Sequence, residues 1–140
     1  VILGKSYFRI VHAGWRGALS GIIEEAFNFF KMVGEFPENL SVIIGPHIKK
    51  ESFEVKNDFL NNLKKIGINQ KLYIKKKNNL FFFDLSKFLF HKIKSFKIKN
   101  ITISSIDTFK NSENYFSYRY YLKKGIKNCG RQISLVGIKD

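Results

Sequence analysis

Between residues 7 and 30 the apolar pattern changes period, and that change dictates a strand running through a tight turn into a helix. YFRIVHA (7–13) gathers Tyr7, Phe8, Ile10 and Val11 in one short run, which reads as a buried strand. From Ala18 onward Leu19, Ile22, Ile23, Ala26, Phe27 and Phe30 recur at helical spacing, with Glu24 and Glu25 on the other face. Gly34 and Pro37 end that helix. LSVIIGP (40–46) is a second buried strand, and Val55, Phe59, Leu63 and Ile66 mark a second helix, stopped by Gly67. KLYIKKKNNLFFFD predicts two strands around a turn at Asn78-Asn79. Asp84 is placed to cap a third helix through Leu85, Phe88, Leu89, Ile93 and Phe96. NITISSI (100–106) and RQISLVGI (131–138) read as strands, separated by a long polar and aromatic excursion. The hairpin and the loop-rich end exclude a purely parallel sheet, so the expected class is α+β, a mixed α/β sandwich.

A chain of 140 residues suits one domain, 1–140, with one core. No apolar run approaches the roughly 18 residues that span a bilayer, so no membrane partner is expected. A single cysteine, Cys129, rules out an internal disulfide and suits a reducing cytoplasm. The chain opens on Val1 and enters strand-like sequence at once, as a processed chain or a piece of something longer would.

The net charge of +14 has two explanations. Dense cations neutralise phosphates and would suit a nucleic-acid-binding module. Compositional drift explains the same excess: Lys, Asn, Ile and Phe make up 66 of the 140 residues, and 21 of the 25 basic residues are Lys. Dedicated phosphate and base readers favour the planar Arg fork, so a nucleic-acid partner is not expected. In such a chain the arginines stand out, and Arg16, Arg119 and Arg131 each lie in a Gly- or aromatic-marked motif.

Three stretches can carry chemistry. In VHAGWRG the strand ends near His12 and the helix begins near Gly17. Unpaired N–H groups there, Gly14, Gly17 and Arg16 could cradle an anion, and His12 could serve as metal ligand or base. A strand–turn–helix joint with a buried histidine and a packed Trp15 explains the same residues. In IIGPHI, Gly45-Pro46 makes a turn and His47 reads as an exposed loop residue; His91 reads as solvent-facing. SIDTFKNSENYFSYR sets Asp107 and Thr108 at a strand end and follows them with Tyr115, Phe116, Ser117, Tyr118 and Arg119. Rings that stack and an Arg that holds an anion suit a nucleotide or nucleoside, and equally an aromatic cluster covering a loop. No H-x-x-x-H or C-x-x-C spacing occurs, so no self-sufficient metal site is written in one segment.

In order, HAGWRG, IGP with Phe53-Glu54-Val55, FDL, the Thr-marked loop, YFSYR and GRQISL resemble the laccase-domain proteins over about Phe8 to Ile138. This YfiH-like family is also called multicopper polyphenol oxidoreductase laccase or purine nucleoside phosphorylase. The resemblance implies a zinc-dependent enzyme that cleaves adenosine, inosine or methylthioadenosine with phosphate and also deaminates adenosine. It implies zinc held by two His and one Cys, of which His12 is the last; the other two would lie upstream of this chain. On the same ground Asp107, Thr108 and Arg119 are catalytic candidates. Gly14, Trp15, Arg16, Gly17 and Tyr115–Tyr118 are candidates for phosphate and nucleoside. Family members often carry Cys where Asp107 stands, and Cys is common at the place of His47, which either preserves metal affinity or fills the turn. Zinc is expected rather than copper, since the few His and Cys here cannot build several copper sites. The alternatives are an amidohydrolase editing peptidoglycan precursors within the same family and a basic nucleic-acid binder without catalysis. A truncated domain would expose a sheet edge, so a homo-oligomer or pairing with the absent N-terminal segment is also expected.

Overall fold

The computed structural model describes residues 1–137. In chain order its elements are β1 (Ile2–Leu3), β2 (Phe8–Arg9), α1 (Trp15–Leu19), α2 (Ile22–Met32), β3 (Ser41–Ile44), β4 (Glu54–Val55) and α3 (Asn57–Lys65). Then follow α4 (Gln70–Tyr73), β5 (Ile74–Lys77), β6 (Leu80–Phe83), α5 (Leu85–Ser95), β7 (Asn100–Ile103) and α6 (Tyr118–Lys123). The chain packs as two compact units. The first takes Val1–Gly45, Leu89–Ser104 and the stretch from Ile133; the second takes Pro46–Phe88 and Ser105–Gln132.

In the first unit the sheet runs β2-β1-β3-β7, antiparallel except for the parallel pair β3–β7, where Val42 faces Ile101 and Ile44 faces Ile103. Ile2, Val42, Leu40, Ile93 and Ile98 are buried with Ile23, Ala26, Phe27 and Phe30, the apolar stripe of α2. The expected single helix is two, because Gly21 at φ +95° is left-handed and breaks the ladder between α1 and α2. Gly34, at φ +78°, follows α2 as expected. Lys92 of α5 pairs with Glu24 of α2.

The strand predicted over 7–13 is corrected. Only Phe8 and Arg9 pair, β2 is a sheet edge, and Tyr7, Phe8 and Ile10 are exposed. Arg9 instead stacks over Phe29, 4.2 Å from its centroid. The turn before β2 is held by Glu35, whose buried carboxylate accepts N–H bonds from Ser6 (2.7 Å) and Lys5 (3.0 Å). A Cβ on Gly4 would lie 2.8 Å from that carboxyl, so a side chain there would expel it. Of 131–138, the described part, 131–137, pairs with no strand, and Ile133 and Leu135 are more than four-fifths exposed. Alternating apolar residues make a strand only where a partner edge meets them.

The second unit holds the antiparallel sheet β4-β6-β5. Asn78 (φ +48°) and Asn79 (φ +59°) make the tight turn that pairs Lys77 with Leu80, as predicted. Phe83 is fully buried, with ring centroids of Phe59 at 4.9 Å, Phe53 at 5.7 Å and Phe88 at 5.8 Å. Asp84 then caps α5, its carboxylate accepting the Lys87 N–H at 2.9 Å. The excursion 107–130 carries turns at 108–114 and 124–125, and α6 within it was not foreseen. None of the described helices is long and apolar enough to cross a membrane.

Two outcomes follow from this packing. Phe83→Ala should cost about 3–5 kcal/mol of stability, read by urea unfolding, since three rings lose their common contact. The two N–H donors, Ser6 first and Lys5 next, hold the Glu35 carboxyl below the ordinary value of 4.5. Its stabilisation is therefore complete above that value and lost as pH falls through the lower, folded one. Glu35→Gln should flatten the acid limb of stability against pH, and an unchanged limb would show that Glu35 is not a source of it.

Candidate functional site

In the first unit, the segment after β2 delivers an exposed His12 to a turn capped by Gly14. The Gly14 carbonyl accepts the Ala18 N–H at 2.9 Å and opens α1. A Cβ on Gly14 would stand 3.0 Å from His12 Nε2, so this glycine leaves the imidazole room to lie across the turn. Arg16 is exposed and its guanidinium lies 4.7 Å from the centre of the half-buried Trp15 ring. Of the two readings of VHAGWRG, the buried histidine is excluded, since His12 is exposed.

A metal centre needs several donors around one point. Among the described residues no group of three or more His, Cys, Asp or Glu side chains comes together. His12 fits as one imidazole donor, and taken alone these residues do not make up a three-ligand zinc set.

The second unit builds a polar cluster around Asp107 and His47, which pair in a parallel backbone bridge. His47 donates its N–H to the Ile106 carbonyl (3.5 Å) and accepts the Thr108 N–H at its own carbonyl (3.2 Å). The Asp107 carboxylate accepts the Ser52 hydroxyl at 2.6 Å and the N–H groups of Phe109 at 3.0 Å and Lys49 at 3.4 Å. Its side chain thereby ties the loop after Ile106 to the segment carrying His47. His47 Nε2 lies 2.6 Å from Ser86 Oγ, in the first turn of α5, and 3.2 Å from Lys49 Nζ. Burial pushes the Lys49 ammonium below its ordinary range, against the pull of Asp107, Asp84 and Glu51. His47 is thus half-buried and engaged, not an exposed loop residue. His91 is likewise half-buried, with Phe90 at 6.1 Å.

The aromatic loop is organised by Ser117, which is buried and caps α6 by accepting the Tyr120 N–H. Thr108 is also buried. Arg119 lies over Phe53 at 5.5 Å. Tyr120 meets Phe109 and Tyr121 edge-on at 5.8 Å, and Gly130 sits where any Cβ would overlap the Phe116 ring. Tyr115 is half-buried, while Tyr118 is 70% exposed. Lys49, Ser52 and Ser86 were missed by sequence reasoning. Ser86 carried one faint signal, its place just after the capping Asp84 at a helix start. An open depression of about 460 Å³ between α3 and α4, lined by Lys64, Ile68, Asn69, Gln70 and Lys71, contains none of the predicted residues.

These elements define an α+β protein of the YfiH type. The YfiH protein of Bacillus licheniformis superposes with a TM-score of 0.68 at 23% identity, covering 79% of this chain and 43% of that one. A Neisseria meningitidis protein gives 0.64 at 22%, covering 79% and 45%. The chain belongs to the family of multi-copper polyphenol oxidoreductase laccase, whose model matches residues 4–139. It is 33% identical over 136 residues to a purine nucleoside phosphorylase of Staphylococcus epidermidis, covering 95% of this chain and 49% of that protein. A purine nucleoside phosphorylase of Rickettsia prowazekii is 32% identical over 112 residues (79% and 46%), and YfiH of Escherichia coli is 25% identical over 125 (89% and 48%). The chain therefore spans about half the length of these relatives.

Asp107→Ala should cost about 1–3 kcal/mol in urea unfolding, because the Ser52 hydroxyl and the N–H groups of Phe109 and Lys49 lose a common acceptor. Asp107→Asn, which keeps an acceptor oxygen, should cost less.

Proposed function

We propose that this chain forms part of a zinc-dependent purine nucleoside phosphorylase that also deaminates adenosine, working in a reducing cytoplasm. The observation that carries the reading is the 33% identity over 136 residues to a Staphylococcus epidermidis protein named purine nucleoside phosphorylase. The relatives are about twice as long, so the reading includes a companion segment or second copy that contributes the remaining metal donors.

The exposed His12 is the zinc donor of this chain in that reading, and Gly14 gives its ring space. When bound, the ion would supply a polarised water or a Lewis-acid contact to the substrate. Arg16, at the glycine-framed turn, holds the phosphate co-substrate by its planar fork. Arg119 and the Tyr115–Tyr118 stretch orient the nucleoside, with Tyr118 offering an exposed ring for stacking. Asp107 and Thr108 orient the loop that carries them. In phosphorolysis a phosphate oxygen bonds to the ribose C1′ as the bond to the purine nitrogen breaks, and the phosphate charge stabilises the cationic ribose between.

The test is release of free purine from inosine by this chain extended to the length of its relatives. Release should require inorganic phosphate, and Arg16→Ala should raise the KM for phosphate about tenfold or more. His12→Ala should remove bound zinc in elemental analysis. Release without phosphate, or unchanged zinc in the His12 variant, would overturn the reading.

A further inference from the structure

We infer that Ser86 and His47 form a nucleophile–base pair, with Lys49 as its electrophilic partner, able to take an acyl group from carboxylic esters. The juxtaposition lies entirely in the second unit and uses none of the residues assigned above to zinc, phosphate or nucleoside.

Three features carry it. The Ser86 Oγ to His47 Nε2 distance of 2.6 Å is that of a hydroxyl hydrogen-bonded to an imidazole. Lys49 Nζ is 3.2 Å from the same nitrogen. The pair requires the ring proton on Nδ1, so that the single Nε2 lone pair accepts the Ser86 hydroxyl at the shorter distance, and the Lys49 ammonium stands beside that bond as the nearby cation. The base is held in place, since its backbone is bonded on both sides to the Asp107 loop through Ile106 and Thr108. Ser86 also stands in the first turn of the eleven-residue α5, whose positive end favours an anionic oxygen. All three residues are half-buried.

The step balances without a co-reactant other than water. Ser86 Oγ bonds to the ester carbonyl carbon and passes its proton to His47 Nε2. The carbonyl electron pair moves onto oxygen, beside the Lys49 ammonium, which the newly formed imidazolium repels toward it. Collapse breaks the carbon–alkoxy bond, and His47 returns its proton to the departing alcohol. Water then attacks the acyl-serine, giving its proton to His47. The Oγ–carbon bond breaks, the proton returns to Ser86, and a carboxylic acid leaves.

The test is labelling of the 140-residue chain with a fluorophosphonate serine probe, read by intact mass and peptide mapping, alongside p-nitrophenyl acetate turnover. The expected result is one probe per chain, on Ser86, with no labelling in Ser86→Ala. His47→Gln, whose amide can still accept from Lys49 but cannot take a proton, should label at least about tenfold more slowly while keeping the wild-type circular dichroism. Ser95→Ala should label as the wild type does. No labelling of the wild type, labelling that persists in Ser86→Ala, or an unchanged rate in a folded His47→Gln would each overturn the inference. None of these readouts depends on zinc or nucleoside.

Discussion

The Phe83 ring is the constraint on which the second unit depends. It is fully buried, and β4, α3 and α5 all direct rings at it through Phe53 beside the strand, Phe59 and Phe88. Burial of that size dominates local propensity, so the register of β6 is set by the need to turn Phe83 inward. One residue later Asp84 becomes the cap of α5, and two after that Ser86 is carried to His47. A one-residue slip in β6 would turn Phe83 outward and take Ser86 away from the imidazole.

The two units solve the problem of placing a histidine differently. His12 is held by glycine: Gly14 makes the turn and leaves the space that the ring occupies. His47 is held by polar bonds, through a backbone bridge to Asp107 and side-chain contacts to Ser86 and Lys49. The first arrangement leaves an open imidazole that an external group can approach. In the second, the imidazole is already occupied by its own neighbours. Ser86 Oγ at 2.6 Å and Lys49 Nζ at 3.2 Å both approach its Nε2.

Local signals were legible where the chain itself supplies the cause. Asn78-Asn79 adopts the left-handed pair that a two-residue hairpin demands, Asp84 caps the helix that follows it, and Gly34 and Gly67 take positive φ just beyond the helices they end. Signals that needed a distant partner misled. YFRIVHA promised a buried strand and gave a two-residue edge with exposed Tyr7 and Phe8. The strand pattern of 131–137 found no edge to pair with.

By itself the sequence determined the Asn78-Asn79 hairpin, the Asp84 cap, the glycine stops after α2 and α3, the glycine-framed turn at His12 and the family to which the chain belongs. These rest on backbone preferences and motif order, which need only neighbouring residues. The tertiary structure alone decided that Asp107 binds Ser52 and Lys49, and that Ser86 meets His47. Those partners stand up to 58 residues apart in the chain, and a hydrogen bond requires them within about 3 Å. Only the burial of a shared core brings such groups that close, and residue order carries no local trace of it.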